Sequence, residues 1–443
     1  MRINIWLPNL TRMHYKFKKI MVVMLINSRN LKKQSRSEIS ILVTLINGLN
    51  QNIGLPSYTS KNKVYWFFRV AAICFITTCI LQVIALFKTK NDPERLFECF
   101  SILAFTGMGV FKLGSLRYNH NHWGYILKQI SRLEFEQLHI PINSDMDYQS
   151  DDEETIQFTK YVNSYTKSFK VTFSRLRKMY YFTLLIFVLS PFSEPLFCIV
   201  RGLECPGYPH ILPGWTPLDS FSIFGYLVTI LCELISAIYC VFVHISFDLT
   251  AVGIMIFICG QLSLLRSYSV HIGGKGKLYT ISKLRDERAR FRIKNSHRLH
   301  LILVDSITEL DKLLKNIFGV YVLVTTLTLC FVALQLKSKD MSIMQLVSLF
   351  QYMCGTLTQL FLFCCYGDAV FNESSIGMGQ GPFGAAHWCL RPSIRRDLSI
   401  LGAGMMRIKH LRAGPFNFLD LPLFVQIVRT AYSCYAVLGK KNE

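Results

Sequence analysis

Residues 221–265 read FSIFGYLVTILCELISAIYCVFVHISFDLTAVGIMIFICGQLSLL, a largely apolar run of about 45 residues broken by Asp248 and Gln261 and carrying Glu233 within it. At 1.5 Å per residue a helix of that length is ~67 Å long. A bilayer's hydrocarbon core is about 30 Å thick and is crossed by about 20 apolar residues. The run is therefore long enough to cross a membrane and continue well beyond it. Six further apolar stretches are also long enough to cross, giving seven spans at about 64–87, 96–116, 180–200, 221–247, 317–336, 345–366 and 416–438.

The loops between them give the orientation. Of the 49 Lys and Arg residues, 38 fall in the alternate segments 1–63, 117–179, 248–316 and 367–415, against 8 in 88–95, 201–220, 337–344 and 439–443. Loops rich in Lys and Arg stay cytoplasmic. The N-terminus is therefore expected inside and the C-terminus outside. The expected fold is all-α: a cytoplasmic segment 1–63, a seven-helix membrane domain 64–438 and an extracellular tail 439–443. Anchor helices in 117–179, 248–316 and 367–415 extend the spans into the cytoplasm.

Composition agrees. The chain is 51% hydrophobic and 17% charged, with mean hydropathy +0.31. The net charge of +21 does not point to nucleic acid, because the basic residues flank spans, where the inner leaflet is anionic. Most of the 14 cysteines lie inside spans, as small apolar fillers. Cys99 and Cys205 are the candidate outer pair. His120 and His122 have no acid or Cys at ligand spacing, so neither a metal site nor a cofactor is expected. No nucleophile motif marks an enzyme. Ile20–Ile26 is too short for a span and no small-residue cleavage site follows it. Residues 1–36 are read as a cytoplasmic amphipathic tail or an extension of the gene model.

Local pattern predicts three long helices. The acidic run Asp151-Asp152-Glu153-Glu154 opens a helical pattern (Ile156, Tyr161, Tyr165, Phe169, Phe173, Leu176) that leads into the third span. Acids at a helix start complement its dipole. The 221–265 run is the second. Residues 283–316 carry Leu299, Ile302, Leu303, Ile307, Leu310 and Leu314 at helical spacing and run into the fifth span. No strand signal appears in the cytoplasmic layer. Pro191 and Pro195 should kink the third span. The Gly- and Pro-rich loop after it is expected to cover the outer surface.

Ionisable residues within spans are functional candidates by default. Arg69 and Lys112 lie near inner span ends, where long cations snorkel. Glu233 lies mid-span with two readings: contact with a ligand or water-filled cavity, or a structural pairing. Arg429 likewise snorkels or lines an ion pathway.

The last part of the chain resembles the insect odorant receptors. Gln359-Leu360-Phe361, Cys364 and Gly367 are followed by Glu373-Ser374, Ala385-Ala386, Trp388, Arg395-Arg396 and Leu398. Lys409, Leu411 and Ala413-Gly414 come next, then Phe424 and Arg429-Thr430-Ala431-Tyr432-Ser433-Cys434-Tyr435-Ala436-Val437-Leu438. Leu212-Pro213, Trp215-Thr216-Pro217 and His300-Leu301-Ile302-Leu303 resemble upstream family segments. Ala431 departs from the usual Ser or Thr, and Arg429 from the usual Lys.

The resemblance implies a tuning subunit of an odorant-gated, non-selective cation channel. It would assemble as a heterotetramer with the co-receptor, in contact with membrane lipid. It also implies an odorant site among the second, third, fourth and sixth spans, in the outer half. Aromatics at that level are Phe100, Phe105, Phe187, Phe192, Phe224, Tyr226, Phe350 and Tyr352, with Glu233 beside them. The seventh helix would line the pore with Arg429, Tyr432, Ser433, Tyr435, Ala436 and Val437. A gustatory receptor is the nearest rival, but its T-Y-x-x-x-x-x-Q-F ending is absent. A G-protein-coupled receptor would need the opposite orientation and an acid–Arg pair where Arg177-Lys178-Met179 stands. The sequons Asn9-Leu10-Thr11 and Asn372-Glu373-Ser374 fall on segments read as cytoplasmic.

Overall fold

The computed structural model describes residues 40–55, 65–138, 148–201, 209–216, 223–274, 282–336, 343–375, 377–407 and 409–441. The described residues form eleven helices: α1 (Ile41–Gln51), α2 (Tyr65–Lys88), α3 (Pro93–Tyr118), α4 (His120–Leu138), α5 (Tyr148–Arg201), α6 (Ile223–Val270), α7 (Lys283–Gln335), α8 (Ile343–Ser375), α9 (Gln380–Gly384), α10 (Pro392–Met405) and α11 (Leu421–Lys441). Cys205, and with it the proposed Cys99 pairing, lies outside the described residues.

Three helices dominate. α5, α6 and α7 hold 54, 48 and 53 residues, or ~70–80 Å at 1.5 Å per residue. Each is continuous through the junction where the hydropathy changes. α5 passes Pro191 and Pro195 without ending. Among the described residues, five helices are apolar and long enough to cross a membrane: Trp66–Lys88, Arg95–Tyr118, Ile223–Val270, Lys283–Gln335 and Ile343–Ser375. On α2, α6 and α8 the outward faces are apolar. Ile73, Ile80 and Phe87 on α2, Leu227 and Leu231 on α6, and Ile343 and Val347 on α8 are all exposed. A patch of that kind suits lipid and not water.

α6 is the axis of the bundle. It packs on α1, α2, α3, α5, α7, α8 and α9. Every residue from Tyr239 to Ile258 is buried. A helix apolar around its whole circumference must be enclosed on all sides, and here helices provide the enclosure. Gly253 and Gly260 let Phe169 and Tyr165 of α5 lie directly on the α6 backbone.

The all-α expectation for the inner layer needs one correction. Arg412–Ala413 (β1) and Asn417–Phe418 (β2) pair antiparallel as a two-residue ribbon. Its turn holds Gly414 at φ +79°, a left-handed conformation that suits glycine. The ribbon docks on α7. Gly414 N–H donates to Lys315 O at 2.8 Å, and Asp311 accepts from Arg412 N at 2.8 Å and from its Nε at 2.9 Å. A Cβ on Gly319 would lie 2.8 Å from Gly414 Cα. The ribbon thereby fixes where α11 starts. Asp420 then caps α11, accepting from Leu423 N at 2.9 Å.

Candidate functional site

Three levels of side chains are strung along α6. At the level nearest the α6 N-terminus, Glu233 is 4% exposed and points at the 209–216 loop. Its carboxylate accepts from Ile211 N at 2.9 Å and Leu212 N at 3.3 Å, and lies 3.1 Å from His210 Nδ1. Tyr226 hydroxyl donates to Pro209 O at 2.8 Å. Trp215 N donates to Leu81 O at 3.3 Å, and Lys88 Nζ sits 4.0 Å above the Trp215 ring. Ile211 and Leu212 are thereby pressed into an apolar group with Ile102, Tyr226, Ile230 and Leu234, and Phe187 and Phe192 pack on it. Glu233 is thus paired, and its partners are mainly backbone N–H groups.

The middle level is aromatic. Tyr352 donates its hydroxyl to Ser101 O at 2.8 Å. Phe105 and Phe187 both stand edge-on to its ring at 6.3 Å. Phe105 stacks on His244 at 4.2 Å, 9° from parallel. Phe105, Phe187, Phe192, Tyr226 and Tyr352 are thus joined through α3, α5, α6 and α8. Phe100 instead meets Phe331 of α7 at 4.9 Å. Phe224 and Phe350 are 74% and 57% exposed on the outer surface of the bundle. Their helices are predominantly apolar at that level, so hydropathy alone did not separate the inward face from the outward one.

The third level is polar, and it corrects the expectation for Lys112. Its side chain does not snorkel but is 1% exposed, 2.6 Å from Asp248, itself 0% exposed. Asp248 also accepts from Gln359 Nε2 at 2.8 Å and from the Tyr180 hydroxyl. Lys112 Nζ lies 3.0 Å from His244 Nδ1. An ammonium can only donate, so Nδ1 accepts, and Nε2 carries the proton donated to Phe105 O at 3.1 Å. One cluster therefore ties α3, α5, α6 and α8 together. Burying two charges costs several kcal/mol per ion, which only close pairing and further hydrogen bonds offset. Opposite charges inside spans tend to pair, and that was the signal available in Lys112 and Asp248.

Further along, Gln137 and Gln261 exchange hydrogen bonds of 2.7 and 2.9 Å. Glu134 accepts from the Tyr165 hydroxyl. Burial pushes the Glu134 carboxyl above the usual carboxylate range, against the opposing hydrogen bond from Tyr165.

The family model for the 7tm odorant receptors matches residues 92–432. The chain belongs to the odorant receptor family. It is a multi-pass membrane protein of a receptor family, not an enzyme. Putative odorant receptor 85e of Drosophila melanogaster is 27% identical over 147 residues, 32% of this chain and 30% of that protein. The alignment thus spans less than a third of that relative's length. The fold matches the olfactory receptor OR5 of Machilis hrabei with a TM-score of 0.69 at 13% identity, covering 89% of this chain and 97% of that one. The same receptor in complex with eugenol matches at 0.67 and 14%, covering 90% and 97%.

In this odorant receptor, α11 packs on α7 and α8 through Leu423, Ile427 and Ala431, which are buried. Arg429, Tyr432, Ser433 and Val437 are exposed, and Tyr435 and Ala436 are half-buried. The Tyr432 and Tyr435 rings are 6.3 Å apart. Ser433 hydroxyl donates to Arg429 O at 3.0 Å within the helix.

Proposed function

We propose that the chain is a tuning subunit of an odorant-gated, non-selective cation channel in the plasma membrane of sensory neurons. Its N-terminus lies in the cytoplasm and its C-terminus outside. α5 and α11 join the five strongly apolar helices to make seven spans. The co-receptor completes a heterotetramer, and lipid covers the exposed faces of α2, α6 and α8.

The observation that carries this reading is the two-sided character of α11. One face is buried on its own bundle, while Val425, Tyr432 and Val437 are 62%, 68% and 71% exposed beside Arg429, Thr430 and Ser433. A face mixing Arg, Ser, Thr and Tyr with Val suits a water-filled conduit shared between subunits better than lipid, because charges in membranes face bundle interiors or water. Arg429, Tyr432, Ser433, Tyr435, Ala436 and Val437 form the pore lining, and Val437 forms an apolar outer ring able to close by dewetting. The odorant is a small apolar volatile held by Phe105, Phe187, Phe192, Tyr226 and Tyr352, as apolar ligand sites with few polar groups require. The eugenol complex of the Machilis relative supports that ligand class.

Co-expression with the co-receptor is expected to give odorant-evoked cation currents that persist when G-protein signalling is blocked. A C-terminal tag should stain on intact cells and an N-terminal tag should not. Currents lost with the G-protein block, or reversed staining, would overturn the proposal.

A further inference from the structure

We infer that the outer loop is part of the odorant site: Ile211 and Leu212 form its outer wall, and Glu233 is the positioning residue that holds them there. This rests on the odorant site proposed above. Loops over a binding site are commonly mobile, but this segment is held firmly. Three of its polar contacts converge on one buried carboxylate: Ile211 N–H, Leu212 N–H and His210 Nδ1, at 2.9, 3.3 and 3.1 Å. A hydrogen bond to an ionised acceptor is roughly twice as strong as a neutral one. Tyr226 holds the preceding carbonyl, Pro209 O, at 2.8 Å, and the Trp215 N–H bond to Leu81 O fixes the other end.

The consequence is a wall of defined position. Ile211 and Leu212 are 2% and 4% exposed. They pack against Ile102, Ile230 and Leu234, the same group on which Phe187 and Phe192 lie. Phe187 also touches Tyr352, and Tyr352 touches Phe105. The aromatics and the loop thus form one continuous chain of apolar contacts. His244 and the Lys112–Asp248 pair close it on the inner side, and Ile211 and Leu212 close it on the outer side. A ligand lying along α6 is limited in length by these two ends.

Glu233 therefore acts through the loop backbone and does not need to touch the odorant. The wall's residues select for chain length. A methylene that a hydrophobic site accepts or refuses is worth on the order of tenfold in discrimination.

The test uses the full chain co-expressed with the co-receptor. Cation currents are recorded against graded straight-chain alcohols, straight-chain alkyl acetates and substituted phenols, with cell-surface biotinylation as the expression control. Leu212→Ala should move the optimum to longer homologues, with the long-to-short potency ratio rising about tenfold per methylene accommodated. Leu212→Phe should move it the other way. Glu233→Ala should flatten the length preference, while Glu233→Gln, whose amide oxygen still accepts from the two N–H groups, should keep it. Leu227→Ala, on the exposed face of α6, should leave the profile unchanged. If Phe187→Ala alters potency but the Leu212 and Glu233 variants leave the length profile as it was, the wall is refuted and the aromatic site stands. If Phe187→Ala changes nothing, or no compound in the series gates the wild-type channel, the site itself is refuted and the wall with it.

Discussion

Two buried carboxylates sit on the same helix, Glu233 and Asp248, about four turns apart, and they are satisfied in opposite ways. Asp248 is held by side chains from three other helices: Lys112, Tyr180 and Gln359. Glu233 is held mostly by the main chain of one loop. Asp248 therefore decides how helices sit against each other. Glu233 decides where an irregular segment lies, giving its backbone N–H groups the acceptor that no helix or strand provides. The first is an element of the bundle, and the second an element of the loop that the proposal makes a wall of the odorant site.

That contrast predicts a hierarchy of effects. Asp248→Ala strands a buried ammonium and should cost about 3–5 kcal/mol, seen as loss of surface protein and a large fall in thermal stability in detergent. The pair Lys112→Met with Asp248→Leu should recover much of it, because removing both charges leaves neither unpaired. If the double variant were as damaged as the single one, the stranded charge would not be the cause.

Glu233→Ala should be milder, about 1–3 kcal/mol for each buried donor left without a partner. Hydrogen exchange should rise at Ile211 and Leu212 while the α6 core stays protected. Equal deprotection at both carboxylates would erase the distinction drawn between them.

Gly319→Ala tests a third contact, the seat of the ribbon on α7. Its Cβ would meet Gly414 Cα at 2.8 Å, and such overpacking costs about 1–3 kcal/mol. The expected readout is a displaced α11, with agonist efficacy reduced more than potency. Unchanged efficacy would mean that the ribbon does not set the start of that helix.

The smallest effect belongs to Glu134. Its carboxyl is raised by burial, so its contribution to stability is greatest in acid, below the unfolded value, and is lost as pH rises through the raised value. Glu134→Gln keeps an acceptor for Tyr165 and removes the buried charge. It should raise thermal stability by about 1 kcal/mol or less at neutral pH and change nothing in acid. A loss of stability at neutral pH would count against burial as the dominant influence.

Much of the architecture was legible because it follows from hydropathy and charge, which depend on residue type alone. The 221–265 run, the acid-led pattern from Ile156 and the charged stretch from 283 all correspond to long continuous helices. The site was less legible because it depends on which face of an apolar helix turns inward. Phe105 and Phe187 turn in, while Phe224 and Phe350 turn out, and a predominantly apolar helix carries too weak a periodicity to separate them by hydropathy. Lys112 read as a snorkelling cation because its partner Asp248 lies 136 residues away. Glu233 was visible, but its partners are backbone groups, which no letter of the sequence marks. The two-residue ribbon at Gly414-Pro415 is too short to show any alternation.

The most direct test of the central claim is accessibility of the last helix during gating. With Val437→Cys co-expressed with the co-receptor, an external charged methanethiosulfonate reagent should block the odorant-evoked cation current, and block it faster when applied with odorant than without. A current that the reagent leaves untouched in both conditions, while surface labelling shows the cysteine modified, would contradict a pore lined by α11.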